Sequence, residues 1–415
     1  MKMMIMWKKY KGIVIVFYII IHFLSCGSNP VKRFMDVLSM SDDMAFSVLE
    51  TEDRGFIIVG VTYSEGKGDI YLIKTDSSGD LQWYEVFGGK GDDVGKSILN
   101  IEDGYIIAGW TRFYETRGYD ILLLKTDLQG KVMWQRNFGG RGDEMALSLV
   151  EAADGGYVIA GWTNSTGNGK KDVSLIKADD NGNIVWHKTL GSDKDEVAYS
   201  ICRTEGGEYI VAGWTSSFSK NKDVYVLKVD GNGKLIWQNT YGGEKDDGAY
   251  SVKEVGGEYI VTGWTKSYGA GRDDVLLLKI DTEGNLLWRN TFGGRHNESG
   301  AYVNPLKEGG YIIAGWTDSE GKGGDDVYLV KTNSRGDMLW YKTFGWLGND
   351  LASSVQQTAD GGYIIAGTTE SYSRGDREVY LIKTDRDGNL LWHKIFSWKY
   401  EETEILVKRF TSLGR

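Results

Sequence analysis

Proline and cysteine are nearly absent from this chain of 415 residues, which contains two of each. The scarcity of proline leaves strand backbones uninterrupted, because proline cannot donate a hydrogen bond to a sheet ladder. After Cys26 the only cysteine is Cys202, so no intrachain disulfide can form once Cys26 is modified. Packing rather than cross-linking must therefore stabilise the fold.

Histidine is also scarce, and the familiar catalytic motifs are missing. Beyond His22 the chain has His187, His296 and His393, none with a cysteine or histidine at metal-ligand spacing. There is no nucleophile elbow, P-loop or dinucleotide fingerprint, and no repeat carries the spaced oxygens of a calcium loop. We predict no catalytic residue, metal site or cofactor, although the many paired carboxylates keep a glycosidase open as an alternative.

Positive charge is in deficit, since 48 Lys and Arg stand against 58 Asp and Glu and give a formal net charge of −10. An acidic surface disfavours nucleic acid and anionic lipid as partners. We therefore expect neither to bind the folded domain.

The N-terminus departs from this pattern. "MKMMIMWKKYKG" supplies four lysines, and "IVIVFYIIIHFL" is an apolar run too short to span a bilayer comfortably. The following "FLSC" resembles a lipobox, which implies that Cys26 is diacylated and becomes the new N-terminus. An uncleaved anchor and an ordinary signal peptide are the alternatives. Each of them places the domain outside the cytoplasm.

Repetition is what the chain has in abundance. "GGYIIAGWT" (309–317) returns in seven versions with a period of about 51 residues. Each repeat reads "DDxAxSV", "GGYIIAGWT", "DVYLIKTD" and "GNLLWxKTFGG", which we call runs a, b, c and d. All four are short, rich in β-branched and aromatic residues, and separated by Gly, Asp, Ser and Asn, as is typical of strands.

Four-stranded units of this length are the sequence signature of a β-propeller. Runs b and c are apolar on both faces, which indicates sheets stacked face to face. Every c–d connection has Asp or Asn first and Gly three positions later, which predicts a tight turn with Gly at positive φ. We predict an all-β fold, a seven-bladed β-propeller of four-stranded antiparallel blades, and a monomer.

The predicted organisation has four parts. Residues 1–25 form a signal peptide of the lipoprotein type, 26–41 a linker, 42–400 the propeller and 401–415 a tail. "RFMDV" (33–37) resembles a degenerate d strand and "ETEILVKRF" (402–410) a degenerate a strand. Either one is a candidate for closing the ring.

Three resemblances to known families accompany this pattern. Asp127, Gly130 and Trp134 resemble the tryptophan-docking motif of PQQ-type quinoprotein propellers, which implies an oxidoreductase, and the strand order resembles kelch repeats. Over residues 42–400 the whole unit is similar to repeats of bacterial and archaeal secreted or lipid-anchored propellers, mostly of unassigned function.

Two series of tryptophans recur, and we predict different roles for them. The tryptophan of run d occurs in every repeat, so we interpret it as a structural wedge between neighbouring blades. This docking series is Trp83, Trp134, Trp186, Trp237, Trp288, Trp340 and Trp392. The tryptophan of run b is missing from the first and last repeats, which have Val61 and Thr368. A tryptophan with a purely structural role would be expected in every repeat.

In a propeller the d–a and b–c connections share one face, which we call the loop face. It collects the end of run b and the acids that open runs a and c. We predict a ligand face there, made of Trp110, Trp162, Trp214, Trp264, Trp316, Asp120, Asp172, Asp223, Asp274 and Asp326. The structural alternative is that the acids cap backbone N–H groups and the tryptophans belong to the core.

These features lead to three functional hypotheses. The first is a noncatalytic extracytoplasmic lipoprotein that binds polysaccharide or envelope protein through the loop face and contacts membrane only through its lipid. The second is an envelope scaffold resembling the propeller lipoprotein of the β-barrel assembly machinery. The third is an enzyme, either quinone-dependent or glycoside-cleaving.

Overall fold

The computed structural model describes residues 42–64, 67–112, 118–373, 375–399 and 402–409. These residues form seven antiparallel sheets, in each of which four consecutive strands pair in chain order. The predicted seven-bladed β-propeller of four-stranded antiparallel blades is confirmed. None of the described segments is a helix long and apolar enough to cross a membrane. Residues 1–41, with the predicted signal peptide, Cys26 and the run 33–37, lie outside the described part.

Each blade takes its four strands from runs a to d. The a strands are β1 (Asp43–Glu50), β5 (Asp93–Ile101), β9 (Glu144–Glu151), β13 (Glu196–Arg203), β17 (Asp247–Val255), β21 (Glu298–Pro305) and β25 (Asp350–Gln357). The b strands are β2 (Phe56–Thr62), β6 (Gly104–Thr111), β10 (Tyr157–Thr163), β14 (Tyr209–Thr215), β18 (Glu258–Thr265), β22 (Tyr311–Thr317) and β26 (Tyr363–Thr369).

The two remaining strands of each blade form the c–d hairpin. The c strands are β3 (Asp69–Thr75), β7 (Asp120–Thr126), β11 (Asp172–Ala178), β15 (Asp223–Val229), β19 (Asp274–Ile280), β23 (Asp326–Thr332) and β27 (Glu378–Thr384). The d strands are β4 (Leu81–Phe87), β8 (Val132–Phe138), β12 (Ile184–Leu190), β16 (Leu235–Tyr241), β20 (Leu286–Phe292), β24 (Met338–Phe344) and β28 (Leu390–Lys399).

The core lies between the stacked sheets. Strands b and c are buried along nearly their whole length, as their two-sided apolar pattern predicts. Each a strand carries a bulge, such as the register shift between Ala198 and Ser200. The bulge brings a carbonyl close to the b strand, so a methyl group added at Gly213 would lie 1.8 Å from Val197 O. Glycine is therefore required in "AGWT".

Turn geometry follows the sequence prediction as well. In the first c–d hairpin Asp76 Oδ1 accepts hydrogen bonds from the backbone N–H groups of Ser78 and Asp80, at 2.8 and 2.9 Å. Gly79 adopts a φ of +74°, and the glycine is left-handed at the same place in all seven blades. The prediction of positive φ in these turns is confirmed.

The ring closes by packing of the first blade on the seventh. Phe56 and Tyr71 of blade 1 share one buried cluster with Ile364, Leu381 and Phe396 of blade 7. The strand β29 (Glu402–Arg409) pairs with β28 and adds a fifth strand at the outer edge of blade 7. Residues 402–409 therefore lie away from the innermost strands, where the first and last blades meet.

Candidate functional site

The acids that open the a strands bind the backbone of the loop face. Glu144 accepts hydrogen bonds from Gly140 N and from Thr163 Oγ1, each at 2.7 Å. Glu196 does the same with Ser192 N and Thr215 Oγ1, again at 2.7 Å. The acid one residue earlier reaches the preceding blade, since Asp143 Oδ1 accepts from Tyr119 N at 3.0 Å. These carboxylates are thus engaged in holding loops together.

The five c-strand aspartates of the predicted ligand face are at the blade junctions rather than on an open surface. Asp172 and Asp274 are 1 % exposed, Asp326 is 2 % and Asp223 is 7 % exposed, and Asp120 is half-buried. Such burial leaves them little access to a ligand on the loop face.

Each of these aspartates faces the a-strand acid of the following blade. A methyl group added at Gly191 would lie 1.9 Å from Asp172 Oδ1 and 2.7 Å from Glu196 Oε2. Burial raises the pKa of Asp172, and the charge of Glu196 adds to the effect. Burial, supported by Asp350, raises the pKa of Asp326 to about 6. No group of three or more metal-ligating side chains occurs among the described residues.

The b-strand tryptophans lie on the loop face, near the end of the channel that runs along the axis of the ring. Trp162 is 7 % exposed and packs with Leu147 and Val197 of two neighbouring a strands, and the half-buried Trp110 and Trp214 join this cluster. The indoles are partly covered by cations, with Lys171 Nζ 3.8 Å from the ring centroid of Trp162 and Lys222 Nζ 4.1 Å from that of Trp214.

Trp264 and Trp316 continue this arc on the next two blades. Trp264 packs on the a strand of its own blade, where a methyl group added at Gly248 would lie 2.9 Å from Trp264 Nε1. Trp316 itself lines the channel cavity. Val61 and Thr368, which replace tryptophan in the first and seventh blades, are 1 % and 6 % exposed. The five tryptophans thus occupy the same strand position on five consecutive blades, and of these five Trp316 is the one that lines the cavity.

The docking tryptophans lie on the opposite side of the blades, at the seams. A methyl group added at Gly130, in the turn of blade 2, would lie 2.7 Å from Trp83 Cζ3 of blade 1. The rings of Trp83 and Tyr105 of blade 2 are 6.4 Å apart. The same glycine contact pairs Trp134 with Gly182, Trp186 with Gly233, Trp237 with Gly284, Trp288 with Gly336, Trp340 with Gly388 and Trp392 with Gly79. The last pair joins blade 7 to blade 1.

A recurring lysine of the c strands completes each seam. Each of these lysines forms an ion pair with an acid between strands a and b or at the start of strand b of its own blade. The pairs are Lys74–Asp53, Lys125–Asp103, Lys177–Asp154, Lys228–Glu208, Lys279–Glu258, Lys331–Glu308 and Lys383–Asp360. Seven paired lysines have a structural role, and none is left as a free nucleophile.

The channel along the ring axis encloses a cavity of about 460 Å³ walled by the a strands. Two lysines face it, Lys96 from blade 2 and Lys253 from blade 5. Lys96 Nζ lies 3.5 Å from the ring centroid of Phe46, and burial lowers its pKa to about 8. Lys253 Nζ lies 4.9 Å from the ring centroid of Tyr302. The described residues that line the cavity include no carboxylate.

Sequence reasoning did not find this wall, although a signal was present. The second variable position of "DDxAxSV" carries six different residue types in seven blades, while the alanine or glycine before it nearly repeats. Its residues are Phe46, Lys96, Leu147, Tyr199, Tyr250, Ala301 and Ser353, and all seven line the cavity. An exposed pair on the loop face, Trp346 at 46 % and Leu347 at 71 %, was also missed. Trp346 stands where most d runs have the second glycine of "GG".

The fold and the channel define a seven-bladed β-propeller. No family model matches the chain. The WD40 β-propeller domain of Doa1 is similar to it with a TM-score of 0.50 and 14 % identity, over 84 % of this chain and 99 % of that one. The WD40 domain of Neurospora crassa Pan2 has a TM-score of 0.50 and 10 % identity, over 77 % and 85 %.

An enzyme appears among the similar structures too. A puromycin hydrolase mutant has a TM-score of 0.52 and 13 % identity, over 83 % of this chain and 52 % of that one. At such identities these likenesses show the fold alone. In sequence, the chain is 24 % identical over 152 residues, 32 % of its length, to regulatory protein FlaEY of Caulobacter vibrioides. The match spans 16 % of that protein.

Proposed function

We propose that this chain is a noncatalytic, lipid-anchored propeller outside the cytoplasm that binds polysaccharide through the loop face and the end of its central channel. The observation that carries the proposal is the cavity of about 460 Å³ ringed by tyrosines, serines and Trp316. Its volume falls within the range of about 300–1,000 Å³ that is usual for small-molecule sites.

The chemistry of the wall suits a sugar. Tyr199 and Tyr250 meet edge to face with ring centroids 5.0 Å apart, so aromatic surface and hydroxyl groups lie side by side. Serines from several blades add further hydroxyls. Pockets that combine apolar rings with a few placed polar groups are typical of binding sites for compact organic ligands.

The hydrogen bonds of the repeated carboxylates support ligand binding rather than glycoside cleavage. A glycosidase needs two carboxyl groups beside the scissile bond, at least one of them free to exchange a proton with substrate. Here the repeated acids accept hydrogen bonds from backbone and threonine groups, as in Glu298 with Gly294 N at 2.8 Å and Thr317 Oγ1 at 2.9 Å. These acids are engaged in hydrogen bonds at the junctions between blades, and they do not line the cavity.

The test is binding of the full chain, in mild detergent, to a panel of polysaccharides and cell-envelope fractions. Trp316→Ala is expected to weaken polysaccharide binding at least tenfold, whereas Tyr341→Ala, which truncates an exposed aromatic residue on an outer strand, leaves it unchanged. Trp316→Phe keeps the ring and checks for loss of packing. No polysaccharide binding by the wild-type chain, or equal binding by all variants, would overturn the proposal.

A protein partner is the second candidate, favoured by the apolar side chains exposed on the loop face. Phe218 is 48 % exposed, and Trp346 and Leu347 extend from the loop between β24 and β25. Exposed apolar groups of this kind mark interaction sites when they cluster. Capture of an envelope protein that is abolished by Trp346→Ser/Leu347→Ser, with polysaccharide binding absent, would favour this function instead.

A further inference from the structure

The channel differs in charge from the rest of the molecule. The chain has a net charge of −10, yet the described residues that line the cavity include two lysines and no acid. Lys96 and Lys253 stand on blades 2 and 5, so they approach the axis from different sides of the ring. A cavity walled by one sign of charge concentrates ligands of the other sign.

The two channel lysines are also unlike the other repeated lysines in their partners. Every c-strand lysine has a carboxylate of its own blade, as Lys331 has Glu308 at 3.0 Å. No described residue forms a salt bridge with Lys96, whose ammonium lies against the ring of Phe46. Within the described part of the chain Lys253 has no salt bridge either, and its ammonium lies 4.9 Å from the ring centroid of Tyr302.

Lys96 is half-buried, and removing an ammonium from water without a counter-charge is costly. That cost is visible in the pKa of Lys96, which burial lowers to about 8. A carboxylate arriving in the cavity would supply the missing charge and form charge-assisted hydrogen bonds, which are stronger than neutral ones. The site therefore favours an anion over a neutral molecule of the same shape.

Hydroxyl groups and rings complete the wall around the lysines. Ser299 and Ser353 lie on blades 6 and 7, and Tyr199 and Tyr250 lie on blades 4 and 5. We propose that the channel binds an acidic sugar chain, whose uronate carboxylates pair with Lys96 and with Lys253 and whose hydroxyls meet the serines and tyrosines. This inference rests on the proposed polysaccharide function and names the class of sugar.

Calorimetric titration of the full chain tests it with four probes: glucuronate, an oligogalacturonate, a neutral galactose oligomer of equal length, and inorganic phosphate. We expect the two uronates to bind and the neutral oligomer and phosphate to bind at least tenfold more weakly. The monomer and the oligomer together distinguish a free sugar acid from the end of an acidic polysaccharide. Lys96→Met and Lys253→Met should each weaken uronate binding at least tenfold, whereas Lys131→Met, which removes one exposed charge from a c–d turn at the end of the blades opposite the loop face, should not.

Melting temperatures show whether each lysine variant remains as stable as the wild-type chain. Lys96→Met removes an unpaired half-buried charge, so its melting temperature should not fall, and Lys96→Gln is a second variant of similar length. Uronate binding that survives both lysine substitutions would overturn the assignment, and so would phosphate binding as tight as uronate. If neutral polysaccharides bind through Trp316 while uronates do not bind at all, this inference fails and the proposed function stands.

Discussion

The blade seams and the channel wall are built from the same repeats, but they follow opposite rules. At the seams one set of contacts is copied around the ring, as in Trp392 of blade 7 against Gly79 of blade 1. On the channel wall a single position changes from Phe46 to Lys96 to Ala301 between blades. The residues that hold neighbouring blades together are thus the same in every blade. The residues that vary lie on the channel wall, where the packing of blades does not fix the side chain.

This contrast also separates the two lysine sets and the two tryptophan sets. Lysines and tryptophans at the seams have a fixed partner in every blade, which fits a structural role. The channel lysines have no carboxylate partner among the described residues, and the b-strand tryptophans are absent from two adjacent blades. Where a repeat departs from its own pattern, the departure is the better guide to function.

The largest expected effect comes from breaking a seam. Trp237 packs on the turn of the next blade, and its Nε1 donates a hydrogen bond to Thr282 O at 3.0 Å. Trp237→Ala should destabilise the fold by about 3 kcal/mol, as is usual for removing a packed aromatic ring. Thermal unfolding followed by circular dichroism measures it.

Its control is Trp346→Ala, which truncates a tryptophan that is 46 % exposed on the loop face. The melting temperature of this control should change little, because exposed substitutions usually stay within about 0.5 kcal/mol. Equal shifts in the two variants would contradict the distinction between seams and exposed surface.

A smaller effect is expected on the other side of the same contact. Gly284 has a φ of +86°, and a methyl group there would lie 2.4 Å from Asn239 Nδ2 and 3.1 Å from Trp237 Cε3. Gly284→Ala should therefore cost about 2 kcal/mol, of which the left-handed backbone alone accounts for about 1. Gly256→Ala is the matched control, with a φ of +58° and nothing within 4 Å of the added methyl. Thermal unfolding of both variants should show a clear difference, and equal losses would argue against tight docking.

Much of the seam could be predicted from sequence because its causes are local. The turn that contains Gly284 needs Asp and Gly at fixed spacing, and strand burial shows directly in two-sided apolar runs. Residues 402–409 were harder to place, because strand pairing at an outer edge leaves only a weak mark in a single chain. They lie beside β28 rather than among the a strands.

The candidate site could be predicted only in part. Strand direction alone brings the ends of b and the starts of a and c to one face, which is why Trp316 and Asp326 were grouped. Whether each side chain is open or buried depends on the next blade, and Asp326 is enclosed by a junction with Asp350. The channel wall needs all seven a strands at once, so only its irregularity was visible in the sequence.

The junction acids predict a modest pH dependence of stability. Burial, reinforced by Asp350, raises the pKa of Asp326 to about 6 from an ordinary 3.8. The folded state therefore binds this proton more tightly than the unfolded chain does, and the contribution of Asp326 to stability should rise as the pH falls from 7 towards 5. The gain should be about 1 kcal/mol, since one pKa unit corresponds to roughly 1.4 kcal/mol. Ion-paired Asp360 has a pKa of about 2, so its contribution persists in this window and is lost only at lower pH.

Melting temperatures at pH 7, 6 and 5 measure this dependence in the wild-type chain and in Asp326→Asn. The variant should be more stable than wild type at pH 7 and should gain less on acidification. An identical pH profile in both proteins would show that this junction does not titrate in the window.

The smallest expected effect distinguishes two serines of the a strands. Ser200 Oγ accepts a hydrogen bond from the buried Val252 N of the next blade at 3.2 Å, so Ser200→Ala leaves that donor unpaired and should cost about 1 kcal/mol. Both serines line the cavity, but Ser353 stands at the variable position of its strand, and Ser353→Ala should alter the melting temperature by less than a degree while weakening uronate binding. Because both substitutions remove one hydroxyl from the same strand type, their difference measures how sharply architecture and recognition are divided between the repeated and the variable positions of the a strands. A stability loss at Ser353 as large as that at Ser200 would mean that the channel wall, too, is part of the scaffold.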